Sequence, residues 1–137
     1  KTRSSCKTSG SVDDNDCGEQ CTNINKCNYY TRGDLYFSTP WWTWKEYLKV
    51  IVDQKTAPCS QSGGSGANGD IYIDYSYVID INGVNNSVNN GKLKKLNDNN
   101  HTFTLASAND LCYYSASANV QTIWNTNGVA NLSMILD

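Results

Sequence analysis

The stretch from residue 69 to 84, GDIYIDYSYVIDINGV, alternates apolar and polar side chains almost without a break. Side chains on a strand point to opposite faces in turn, so this pattern predicts a strand over 70–82. Ile71, Ile73, Tyr75, Tyr77, Ile79 and Ile81 fall on one face; Asp70, Asp74, Asp80 and Asn82 fall on the other. At about 3.3 Å per residue, Asp70 and Asp74 stand roughly 13 Å apart and Asp74 and Asp80 about 20 Å. A glycosidase acid pair needs about 5 to 9.5 Å, so no two acids of this strand form one alone. Calcium fits no better. A D-x-[DN]-x-[DN]-G loop begun at Asp80 meets Val84 at its fifth position and Gly91, not Glu, at its twelfth. The aspartates read as the solvated acidic edge of a half-buried strand.

Further strands follow from the same logic. Four Asn-Gly dipeptides, Asn68-Gly69, Asn82-Gly83, Asn90-Gly91 and Asn127-Gly128, offer the positive φ that tight turns demand. Between them, strands are expected at 101–105, 111–117, 119–124 and 129–136, the last two as a hairpin, with a short strand at 35–37. One segment departs from this pattern. In STPWWTWKEYLKVIVDQK, Ser38 or Thr39 can cap a helix and Pro40 suits its first turn, while Trp41, Trp44, Leu48 and Ile51 recur at helical spacing. An amphipathic helix over about 40–54 is expected, the β-branched run YLKVIV leaving a strand as the alternative. The fold class expected is therefore α+β, mostly antiparallel β, with one helix packed on a sheet. It forms a single domain, 1–137: a Cys-rich irregular segment at 1–28, then the helix and strands over 35–137.

Six cysteines fix the compartment. Cys6, Cys17, Cys21 and Cys27 crowd the start; Cys59 and Cys112 stand alone. Only Cys17 and Cys21 have zinc-like spacing, and the single histidine, His101, is remote, so disulfides are favoured over metal. The first four cysteines allow three pairings among themselves. A Cys59–Cys112 bridge would close a loop of roughly 50 residues and stabilise the fold by about 4 kcal/mol on the chain-entropy model. Such bridges persist outside the cytosol, which predicts an extracellular or cell-surface protein.

Net charge −2 and a pI near 5.2 exclude the basic footprint of a nucleic-acid binder, and Lys92, Lys94 and Lys95 are too few to alter that. No apolar run approaches a membrane span. The opening KTRSSCKTSG has no apolar core of a leader, so any leader or anchor is expected to have been removed already.

Candidate sites are few. WWTW places three indoles in four residues. Trp41 and Trp44 are expected to pack in the core from the helix, leaving Trp42, with Tyr29, Tyr30, Tyr113 and Tyr114, as exposed platforms for a ligand such as a sugar ring. Arg32-Gly33-Asp34 spells an integrin-type adhesion motif, expected on a loop. Glycosylation sequons stand at Asn85, Asn100 and Asn131, about as many as chance supplies in so Asn-, Ser- and Thr-rich a chain. No Ser-His-acid arrangement, phosphate-binding glycine loop or free thiol emerges, so no catalytic residue, cofactor or metal is assigned.

Residues 44–112 resemble the globular heads of bacterial type IV pilin-like proteins. The matching pieces are WKEYLKVI, DINGVNNSVNNG, FTL and the pair Cys59 and Cys112. That resemblance implies a helix followed by a sheet, a disulfide pinning the C-terminal region, and a place in a surface filament. Disulfides, strand-rich patterning, abundant Asn, Ser, Thr and Tyr and no catalytic constellation together lead to the function expected, a non-enzymatic extracellular structural or adhesive protein, with a pilin-like head as one version, whose partner is a protein (itself or another surface component) or a glycan. The alternatives are a secreted carbohydrate-binding module and a small secreted hydrolase or toxin.

Overall fold

A computed structural model of the chain describes residues 5–17, 30–56, 65–124 and 128–137, with Asn86 described by its backbone alone. Its strands are β1 (Ser11–Cys17), β2 (Tyr30–Ser38), β3 (Glu46–Thr56), β4 (Ser65–Gly66), β5 (Gly69–Ile81), β6 (Val84–Asp98), β7 (Asn100–Ala108), β8 (Leu111–Trp124) and β9 (Gly128–Leu136). All pairings are antiparallel. One sheet runs β1-β2-β3, and the far edge of β3 is shared by β7 and the two-residue β4; the other runs β6-β5-β8-β9. The protein is all-β, and no helix occurs among the described residues.

The expected helix over 40–54 is therefore replaced by a loop and strand β3. In β3 the buried residues are Leu48, Val50, Val52 and Gln54, a strict alternation. The run Val50-Ile51-Val52 is β-branched, and its stiff side chains suit a pleated surface better than a helix. Trp41 and Trp44 happened to align with Leu48 and Ile51 at helical spacing, but they belong to the loop before the strand.

Elsewhere alternation is realised. Ile71, Ile73, Tyr77 and Ile79 of β5 are buried, and Asn82 (φ 49°) with Gly83 (φ 83°) closes the β5–β6 hairpin in the positive-φ geometry expected. The segments 111–117 and 119–124 fuse into the single strand β8, whose hairpin with β9 forms as anticipated. Asn90-Gly91, expected to turn, lies inside β6, where Gly91 leaves room for the Tyr75 ring. Segment 1–28, expected to be irregular, contains β1.

The core lies between the sheets, built on Leu35, Leu48, Val50, Val52, Ile71, Ile73, Ile79, Leu111, Tyr113, Val120 and Met134. Gly33 brings β2 close to β9: a Cβ there would stand 2.8 Å from Leu132 Cδ1. Between the sheets the Thr31 and Thr122 hydroxyls meet at 3.0 Å, fully buried. At one seam Asp14 Oδ2 accepts the Ser133 N–H at 2.9 Å and Asp16 Oδ2 the Asn131 N–H at 2.8 Å, so two carboxylates bridge β1 to the edge of β9.

Cys112 does not pair with Cys59. It bonds to Cys6, 106 residues away, and so staples the N-terminal lead to the start of β8. Cys17 is also disulfide-bonded, while Cys21, Cys27 and Cys59 lie outside the described residues.

Candidate functional site

Strands β2 and β3 pair in register from Ser38↔Tyr47 back to Tyr30↔Lys55, and the loop between them carries WWTW. The Pro40 carbonyl accepts the Thr43 N–H at 3.3 Å, a β-turn with Trp41 and Trp42 at its central positions. Thr43 Oγ1 then accepts the Lys45 N–H at 3.2 Å. A turn of this kind throws its central side chains outward. Trp41, Trp42 and Trp44 are 90%, 71% and 90% exposed. The Trp41 and Trp42 rings meet edge to face, centroids 5.9 Å apart. The base of the loop is held: Glu46 Oε1, at the first residue of β3, accepts the Leu111 N–H at 2.9 Å. The three indoles thus stand at one end of the sandwich on a fastened hairpin. Trp42 was expected outside; Trp41 and Trp44 were expected in the core, and both are out. The fourth indole, Trp124, is buried.

A second surface went unnoticed in the sequence. On the outer face of the β6-β5-β8-β9 sheet, the register lines up Lys94, Tyr72, Gln121 and Asn131 in one row, and Lys92, Asp74, Asn119 and Ser133 in the next. Grooves flank Tyr72 on both sides. Asp14, Asp74, Asn119 and Asn131 help line one; Lys92 and Lys94 help line the other. The signal was present in the alternation of β5, but the partner strands that complete the rows cannot be paired from sequence without the register.

The other candidates are placed as follows. Tyr113 is buried in the core, its hydroxyl donating to the Ser9 carbonyl at 2.6 Å, so it is no exposed platform. Burial raises its pKa above the ordinary phenol value. Tyr114 donates to Asp80 Oδ2 at 3.0 Å. Asp80 itself is buried, unlike the solvated aspartate expected; Asp74 is exposed beside Lys92. Tyr30 opens β2, and Tyr29 lies outside the described residues. Arg32-Gly33-Asp34 is no loop: it sits in β2, paired on both sides, with the guanidinium 3.2 Å from Asp13 and 3.6 Å from Asp34. Asn85, Asn100 and Asn131 are all exposed on strands. His101 Nδ1 lies 3.4 Å from Asp98 Oδ2 at the start of β7. Cys6, Asp80 and Cys112 cluster as metal ligands could, but both sulfurs are spent in the disulfide.

No family model, curated protein or solved structure matches the chain. The reading of function therefore rests on geometry alone.

Proposed function

We propose that the protein is a non-enzymatic, extracellular adhesive domain that attaches to its partner through the tryptophan loop between β2 and β3. One observation carries this reading: three indoles stand in water on a single fastened hairpin. An aromatic side chain removes roughly 150–250 Å² from water when covered. At about 25 cal/mol per Å² that is about 4–6 kcal/mol for each ring, before the cost of association. Clustered exposed aromatic area marks interaction sites, and tryptophan is enriched among the residues that dominate binding energy. The Cys6–Cys112 disulfide supports an oxidising compartment.

The test compares the wild type with a W41S/W42S/W44S variant. Beads coated with each are challenged with a glycan array, with phosphatidylcholine vesicles and with soluble copies of the protein. Retention by at least one of the three, falling about tenfold or more in the variant, is the expected result. The melting temperature should hardly move, because the three rings lie outside the core. Equal retention by the variant on every surface that holds the wild type, or no retention on any surface, overturns the reading.

A carbohydrate-binding module is a second reading, and the face around Tyr72 favours it.

A further inference from the structure

We infer that the outer face of the β6-β5-β8-β9 sheet is a saccharide-binding platform centred on Tyr72. It is separate from the tryptophan loop and stands or falls without it. Tyr72 is 37% exposed, and grooves of about 490 Å³ lie on either side of it. A pyranose ring has an apolar C–H face and a rim of hydroxyls that both donate and accept. An exposed phenol ring meets the first; carboxylates and carboxamides, which accept or do both, meet the second. Asp74, Asn119, Gln121 and Asn131 supply them around Tyr72.

Spacing fits a short oligosaccharide. Successive rows lie roughly 7 Å apart along the strands, and four strands span about 14 Å. Part of the polar inventory is held in place: Gln121 Nε2 donates to Asn131 Oδ1 at 3.4 Å, and Lys92 Nζ lies 3.6 Å from Asp74. The rest is uncommitted. The Asn119 carboxamide, the Tyr72 hydroxyl and the Lys94 ammonium have no hydrogen bond or ion pair among the described residues. The Asp and Asn side chains on β5, β8 and β9 are short, so fixing them on a ligand costs little rotamer entropy.

Other ligand classes fit less well. A nucleic acid would meet Asp14 and Asp74 with only two lysines to offset them, and an apolar partner would find, in the two rows around Tyr72, one ring among hydrophilic side chains.

The experiment uses protein made without glycosylation, since a glycan on Asn131 would cover the face. The wild type is titrated separately with cellotetraose, mannotetraose and chitotetraose, by calorimetry and by NMR of the side-chain amides. Saturable binding of at least one is expected, with shifts at Asn119, Gln121 and Asn131. Tyr72→Ala should weaken it about tenfold or more, Tyr72→Phe should retain it, and W41S/W42S/W44S should bind as the wild type does. Asn119→Ala, an exposed change that leaves the core alone, should weaken it too. No saturable binding of any of the three overturns the inference. So does binding kept in Tyr72→Ala but lost in the triple variant, which would move sugar recognition to the loop and leave the adhesive reading standing.

Discussion

Thr31 and Thr122 show how much a single pair of side chains decides. Their hydroxyls satisfy each other between two sheets, both fully buried, with the buried Gln54 opposite Thr31 in the strand register. Thr31→Val strands the Thr122 hydroxyl in the core and should cost about 1–3 kcal/mol. Replacing both by valine removes the orphan with the partner, so T31V/T122V should recover most of that loss. Urea unfolding of the two single variants and the double tests this; additive losses would refute it. Nothing in YYTRGDLYF marks Thr31 as a core residue, because its burial depends on a partner 91 residues away. The tryptophans mislead in the opposite direction. Large and apolar, they were assigned to the interior on a helical wheel that the chain never forms, whereas Trp42 was placed outside correctly.

Among elements, the passage from β6 to β7 turns on Asp98. Its carboxylate accepts the Asn99 N–H at 2.8 Å and the Asn100 N–H at 3.3 Å. The hydrogen bond from Asn100 is the largest cause holding its pKa below the ordinary carboxylate value; burial opposes, while Asn99, His101 and Lys95 assist. A carboxyl more acidic in the fold than in the unfolded chain adds stability that is complete above its unfolded pKa. That contribution disappears as the pH falls through the folded value. Asp98→Asn should therefore lower the melting temperature at neutral pH and flatten its decline in acid. Thermal scans across that range check it, and parallel curves for the two proteins would count against it.

The strands differ in how readable they were, for a physical reason. β5 and β9 bury one face against the core and so alternate cleanly. β6 lies at a sheet edge with mostly exposed residues, and its run of Asn and Lys shows no alternation to read. β1 is similar, its acids answering to β9 across the seam. β3 alternates well, but the helical coincidence of Trp41, Trp44, Leu48 and Ile51 masked it. The tryptophan loop was legible as chemistry and not as place. The Tyr72 face was legible as neither, because its rows exist only once β5, β6, β8 and β9 are in register.

For the whole molecule, the Cys6–Cys112 bridge ties a lead lying outside both sheets to the start of β8, an inner strand of one of them. The lead also bridges through Lys7, whose N–H donates to the Tyr113 carbonyl at 2.8 Å. A loop of this length is worth about 4–5 kcal/mol on the chain-entropy model. C6S/C112S should fold to the same strands yet unfold at a lower urea concentration by roughly that free energy. Far-ultraviolet circular dichroism and urea midpoints test both halves of this statement; an unchanged midpoint would refute it.

The carboxylates of Asp14 and Asp16 have a further consequence. They occupy outward amide groups of β9 that another strand would otherwise seek. Copies packed densely together can therefore touch along this flank without recruiting one another into a growing ribbon, and crowding there leaves each molecule an individual.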